Sequence, residues 1–254
     1  MLPALLLLAL ASSPLAAAHG KVSVIQGDAG GNGTALAIRG AVVPGPGPNS
    51  KTEVDTTVFG STEIKTDGLG RTNGSGKNKL SMLKLAMAQS GATLPQVSAE
   101  NGTLEGVFHI VTTDGAGPVR AVIDTTGTGK FSQGTVLDTL VQVPGKGGNI
   151  RPTQGRNGDG KRGLLVRAAE AVGLVKRGAV NVNEDYPMKF AVPAGTTCTG
   201  TVNGVENVCL VKIANSNKAG PFGGVVAVQI AGSGQPAAGT GASVRRAVAV
   251  EFEA

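Results

Sequence analysis

The chain has 254 residues, with Gly 40, Phe 6, Tyr 1, Trp 0, Cys 2 and His 2, and 41% of its residues are hydrophobic. That is enough apolar surface to exclude wholesale disorder, while two cysteines exclude a disulfide-dense mini-protein and two histidines exclude any site that needs three. The formal charge of +6 is carried by only 16% charged residues, with no long basic run and no interleaved aromatics, so a nucleic-acid partner is not expected.

Residues 1–18 are uncharged and leucine-rich and end in Ala16, Ala17 and Ala18, the small residues that signal peptidase prefers. The apolar run at residues 5–10 is too short to span a bilayer, and no later stretch reads as a membrane helix. The expected organisation is therefore a signal peptide (1–18) followed by one secreted, soluble, monomeric domain (19–254). Cleavage after Ala18 makes His19 the first residue of the mature chain. Its α-amino nitrogen and one ring nitrogen can then chelate a single metal ion, because an α-amine titrating near pH 8 gives up its proton at modest cost. One further imidazole completes a planar three-nitrogen set, the arrangement favoured by Cu(II). His109 is the only other histidine. His19 and His109 are thus the expected ligands of a copper histidine brace.

Beyond His19, residues 21–26 read as a strand that would hold the terminus on a rigid element. Residues 40–50 carry Pro44, Pro46 and Pro48 among glycines and read as a loop. Residues 78–90 show helical apolar spacing, with Gly91 as the stop signal. Residues 105–113, which include His109, and 118–124 read as strands joined by Asp114-Gly115-Ala116-Gly117. Residues 161–175 form a second helix candidate, weakened by Gly163 and Gly173. Residues 208–214, 224–231 and 243–252 read as strands, and 232–242 as a flexible Gly/Ala/Ser loop. Short strands, Gly-rich turns and few helices together predict a mainly β chain: an antiparallel β-sandwich with long loops and one or two short helical insertions.

Cys198 and Cys209 flank a turn and, in a secreted protein, are expected to form a disulfide worth about 3 kcal/mol in the chain-entropy model. Three glycosylation sequons begin at Asn32, Asn73 and Asn101, each in a Gly-containing turn. Other motifs fail. Gly155 to Lys161 begins like a phosphate-binding loop, but Arg162 stands where Ser or Thr is needed. No Gly-x-Ser-x-Gly elbow supports a serine hydrolase. Glu184-Asp185 could supply half of a glycosidase carboxylate pair, but with 17 acidic residues such candidates are common.

The stretch from Cys198 to Ile230, the His19-Gly20 start and the segment Phe108-His109 followed by Asp114-Gly115-Ala116-Gly117-Pro118 resemble the fungal Egh-type appressorium-specific virulence-factor family (Egh16-like). Relatives often carry further cysteines near Ile213 and Val225, which this chain lacks. More distantly, the chain is similar to histidine-brace lytic polysaccharide monooxygenases, copper enzymes on an immunoglobulin-like β-sandwich. That resemblance implies oxidative cleavage of chitin or another cell-wall glycan with an external reductant. It also implies an aromatic at the copper's axial side, best matched by Phe222, with Phe252 and Tyr186 as alternatives. Gly220 replaces the Gln of cellulose-active relatives, and without Trp there is no flat aromatic platform. The alternative is a non-catalytic wall-binding or host-interaction effector whose brace only stores copper or is vestigial.

Overall fold

The computed structural model describes residues 20–40, 53–151 and 181–232. Short strands dominate them, as the glycine content and turn signals predict. In chain order they are β1 (Gly20–Gly27), β2 (Gly30–Gly33), β3 (Thr57–Val58), β4 (Arg71–Thr72) and β5 (Gly76–Lys77). A 3-10 turn (Leu80–Met82) leads into the short helix α1 (Leu83–Ser90). Then follow β6 (Gln96–Val97), β7 (Thr103–Thr112), β8 (Val119–Asp124), β9 (Thr135–Val141), β10 (Asn181–Ala191), β11 (Gly200–Val202), β12 (Val205–Asn215) and β13 (Phe222–Ile230). Gly91 ends α1 at φ 109°, a conformation that side chains other than glycine's rarely adopt, and its N–H closes on the Met87 carbonyl.

The strands hydrogen-bond in the order β2-β1-β7-β10-β9-β8-β12-β13-β3-β4-β5, almost entirely antiparallel. The sheet curls until β1 packs against β13, giving a half-barrel whose two halves face each other as a sandwich, with β9 as the shared edge. At the opposite side β6 pairs in parallel with β13 at Gln229, and the Asp28 carboxylate accepts the N–H groups of Ser98 and Thr103. The mainly β, antiparallel architecture is the one expected, and α1 is its one α-helix among the described residues.

Two burial patterns explain where chemistry can sit. In β7, Leu104, Phe108 and Ile110 face the sandwich core at 0% exposure, while Glu105 and His109 alternate to the outer face. The half-sheet of β8, β12 and β13 is covered on both sides instead. Val211, Ile213, Val226 and Val228 join the core shared with β1 and β7, while Leu210, Val225 and Ala227 pack against a second cluster with Leu83 of α1, Phe59 and Phe131. A strand buried on both faces needs a nearly continuous apolar run, which residues 208–214 and 224–230 supply apart from Lys212 and Gln229, the latter bonded to Gln96 and the Glu206 carbonyl. Lys212 is the charged one: 1% exposed, it sets its ammonium over the Phe59 and Phe131 rings and donates to the Thr66 carbonyl at 2.9 Å.

The signal peptide, the proline-rich loop beyond Gly40, the helix expected at 161–175 and the strand expected at 243–252 lie outside the described residues. β9 and β10 were not expected. β10 carries Pro187, a residue that argues against a central strand, but β9 pairs only with residues 189–191. Around Pro187, β10 is therefore an edge on that side, where proline is tolerated. Among the described residues no helix is long and apolar enough to cross a membrane.

Candidate functional site

His109 sits between two partner strands. In register it lies opposite Lys21 of β1 on one side and Asp185 of β10 on the other. Because its neighbours Phe108 and Ile110 fill the core, its ring must take the outer face of the sheet, where the side chain is 20% exposed. Its Nδ1 lies 2.7 Å from the Asp185 carboxylate. Lys21 shares that face, but its ammonium is held by Glu53 at 3.0 Å, and both side chains are mostly buried. The same face carries a shallow groove of about 290 Å³ lined by Val24, Gln26, Val107, Pro187 and Lys189, with Lys189 paired to Glu105 at its rim.

The start of β1 is seated against this strand. Gly20 pairs with Ile110, and a Cβ at Gly20 would lie 2.3 Å from the Gly115 carbonyl oxygen and 2.6 Å from the Phe108 ring. Only a glycine lets the backbone descend this far. The requirement joins two landmarks that are far apart in sequence, His19-Gly20 and the turn after His109. His19 itself lies outside the described residues.

That turn is held by side-chain amides. Asn215 donates to the Ala116 carbonyl at 2.8 Å, and Asn217 donates to the carbonyls of Asp114 and Gly148. The Asn215 amide oxygen also accepts the Phe222 N–H at 2.9 Å, so one buried side chain ties the His109 turn to the start of β13. Both Gly-Pro bonds of the recognised motifs, Gly117-Pro118 and Gly220-Pro221, are cis.

Phe222 is 3% exposed and lies on the face of β13 that also carries Val226 and Val228. Gly224 packs on Val22, and Gln229 bonds Gln96, which abuts Gly27; Phe222 thus lies at the Gly20 end of the sandwich. It shares that end with His109, but on the core side of the sheet. Tyr186, opposite Phe108, also packs on the core, and its hydroxyl donates to Glu184 at 2.5 Å. That hydrogen bond, helped by partial burial, pushes the phenol up to about 12. Glu184 and Asp185 consequently work on opposite faces of β10, so the dipeptide is not a paired acid. Phe252 lies outside the described residues.

Cys198 and Cys209 form the disulfide expected of them. The sequon asparagines Asn32, Asn73 and Asn101 are all exposed. Among the described residues no group of three His, Cys, Asp or Glu side chains gathers that could hold a metal. Sequence reasoning missed Asp185 as the partner of His109 and missed the amide pair Asn215 and Asn217. Strand register alone would have found the first.

The described residues thus form a curled, mainly antiparallel β-sandwich that carries His109 on the outer face of a strand. The chain belongs to the Egh16-like virulence factor family, whose model matches residues 17–223. It is 35% identical over 242 residues to the appressoria-specific virulence factor GAS1 of Pyricularia oryzae, spanning 94% of this chain and 80% of that protein. It is 29% identical over 269 residues to the appressoria-specific virulence factor GAS2 of the same fungus, spanning 83% and 82%. No solved structure matches the chain.

Proposed function

We propose that the mature chain is a secreted, virulence-associated fungal copper protein that cleaves a cell-wall polysaccharide oxidatively, with chitin the first substrate to test and an external reductant as co-reactant. The names of GAS1 and GAS2 support the virulence part, and a disulfide fits an oxidising compartment. The observation that supports the site is the β1–β7 register: Gly20 lies opposite Ile110 and Lys21 opposite His109, so the described part of β1 begins within one residue of the histidine's position.

The donor set suits copper, since an N-terminal amine and two imidazoles are nitrogen ligands and no thiolate is free among the described residues. When bound, copper would supply one-electron redox chemistry towards oxygen or peroxide at a glycosidic C–H. The chain's own residues do the rest. His19 contributes its amine and ring, and His109 the third nitrogen. Gly20 lets β1 approach, and Glu53 keeps the Lys21 ammonium occupied. Phe222, nearly fully buried at the same end but on the core side of the sheet, would act from behind by anchoring the start of β13 to Asn215.

The test begins with sequencing the secreted protein, which should start at His19, and with its intact mass with and without copper. Copper-loaded protein with ascorbate should then release oxidised oligosaccharides from chitin or a wall fraction. His109→Ala should lose both tight copper binding and product. A different first residue would remove the amine ligand and the copper reading with it. Tight copper binding without oxidised product would favour a non-catalytic wall-binding or host-interaction protein. One observation already supports that second reading: the chain has no Trp, and its single Tyr packs on the core rather than offering a platform for a glycan.

A further inference from the structure

We propose that Asp185 is a positioning residue that holds the His109 ring as its Nδ1–H tautomer and thereby turns the Nε2 lone pair outward for a metal. The metal half of this inference rests on the copper reading above; the tautomer half does not. A neutral imidazole has one N–H and one lone pair, and a carboxylate can only accept, so the 2.7 Å contact puts the proton on Nδ1. Nε2 is left as the only ring nitrogen able to donate to a metal.

Three features make Asp185 the residue for this task. It is the direct cross-strand partner of His109, so both backbones are fixed by ladder pairing and only side-chain torsions remain to be set. The flanking residues Glu184 and Tyr186 are engaged with each other on the opposite face, leaving Asp185 as the acid of that segment on the His109 side. Lys21, opposite His109 on β1, is held by Glu53 and does not draw Asp185 away. A carboxylate behind a ligating imidazole fixes its orientation and raises its basicity, and removing one typically weakens metal binding about 10- to 100-fold. Asp185 is 66% exposed, so water can partly replace it, and the lower end, about tenfold, is expected here.

The experiment has two arms on the mature protein. In the metal-free protein at a pH where His109 is neutral, long-range ¹H–¹⁵N spectra should show His109 as the Nδ1–H tautomer. Asp185→Ala should move it towards Nε2–H, while Asp185→Asn, which keeps an acceptor oxygen, should hold it. In the second arm Cu(II) is titrated: Asp185→Ala should bind about tenfold more weakly with an altered EPR spectrum, and Asp185→Asn should recover most of both. An Nε2–H tautomer in the unsubstituted protein, or one unmoved by Asp185→Ala, overturns the proposal. So does copper binding by Asp185→Ala equal to that of the parent in affinity and spectrum. If the parent binds no copper, the copper reading fails and with it the metal-presenting role, while the tautomer result separately decides whether Asp185 orients the ring.

Discussion

Replacing Gly20 by Ala tests whether the start of β1 is seated as tightly as the geometry requires. The backbone of Gly20 is not in the left-handed region, so the substitution carries no φ strain and the effect is steric. The added methyl would meet the Gly115 carbonyl oxygen at 2.3 Å and two Phe108 ring carbons at 2.6 and 2.8 Å. Neither obstacle is the free end of a flexible side chain. Phe108 is 0% exposed, and the loop holding Gly115 is tied by Asn215 and Asn217. Overpacking a filled site costs about 1–3 kcal/mol, and the lower chain entropy of Ala in the unfolded state offsets about 0.4–1 kcal/mol of that. A net loss of about 1–2 kcal/mol corresponds to a Tm about 2–8 °C lower for a domain of this size. Denaturant unfolding would read it as a lower midpoint at unchanged slope. Gly60→Ala is the control, since a Cβ there meets nothing within 4 Å and the residue is not at positive φ, so it should be neutral or slightly stabilising. If Gly20→Ala is as stable as Gly60→Ala, the seat is looser than described, and the copper proposal loses the support it draws from it.

Two further outcomes follow from buried charges. Burial is the chief cause that pushes the Lys212 ammonium down, to about 8 from 10.5, against the opposing pull of Asp67 and Glu63. The unfolded chain therefore keeps a proton that the folded chain releases, and stability should rise as pH increases from about 8 to 10.5. Lys212→Met should flatten that rise in urea titrations; an unchanged rise would assign it to another group. Burial pushes the Asp124 carboxyl up, but hydrogen bonds from Thr126, Gly129 and Thr128 outweigh it and hold the group below its ordinary value. Its stabilisation should be complete above the usual carboxylate range and fade as pH falls through the lowered value. Asp124→Ala, which strands three backbone N–H groups, should cost about 3 kcal/mol at neutral pH, and a loss below about 1 kcal/mol would contradict the account.

Much of the fold was legible because burial writes itself into residue order. Residues 208–214 and 224–230 are apolar runs broken only at Lys212 and Gln229 since their strands are covered on both faces, and the helix over 83–90 shows its spacing and its terminal Gly91. β9 was not legible: Leu137 turns into the core while Val136, Leu140 and Val141 are exposed, so its apolar residues do not mark one buried face. β10 was hidden by Pro187, whose tolerance depends on how short its pairing with β9 is, a tertiary fact. At the site, His109 stood out through rarity, whereas Asp185 was one of 17 acids and acquires meaning only when register sets it against His109. Phe222 was singled out by resemblance; its burial and its place at the Gly20 end emerge from the curl of the sheet, which no local pattern encodes.

The manner in which His109 is held bears on whether the site is built or incidental. A histidine on a surface loop can move to meet a ligand, at the cost of ordering it. His109 lies inside β7 with paired neighbours on both sides, its backbone flanked by two side chains at 0% exposure and its ring already bonded to a carboxylate. Very little entropy remains to be lost on binding, which is the condition a preorganised ligand must meet. The turn that follows it is fastened by buried amides rather than apolar packing, although a polar network is the riskier way to close a sandwich, since each unmet partner is costly. Its advantage is geometric: hydrogen bonds fix Gly115 where Gly20 must pass, and so fix where β1 begins relative to His109. Simple stability would be served as well by a longer side chain at position 20 and an apolar turn. The combination found here fixes where β1 begins relative to the His109 ring, and a fixed start of β1 is what the copper proposal requires.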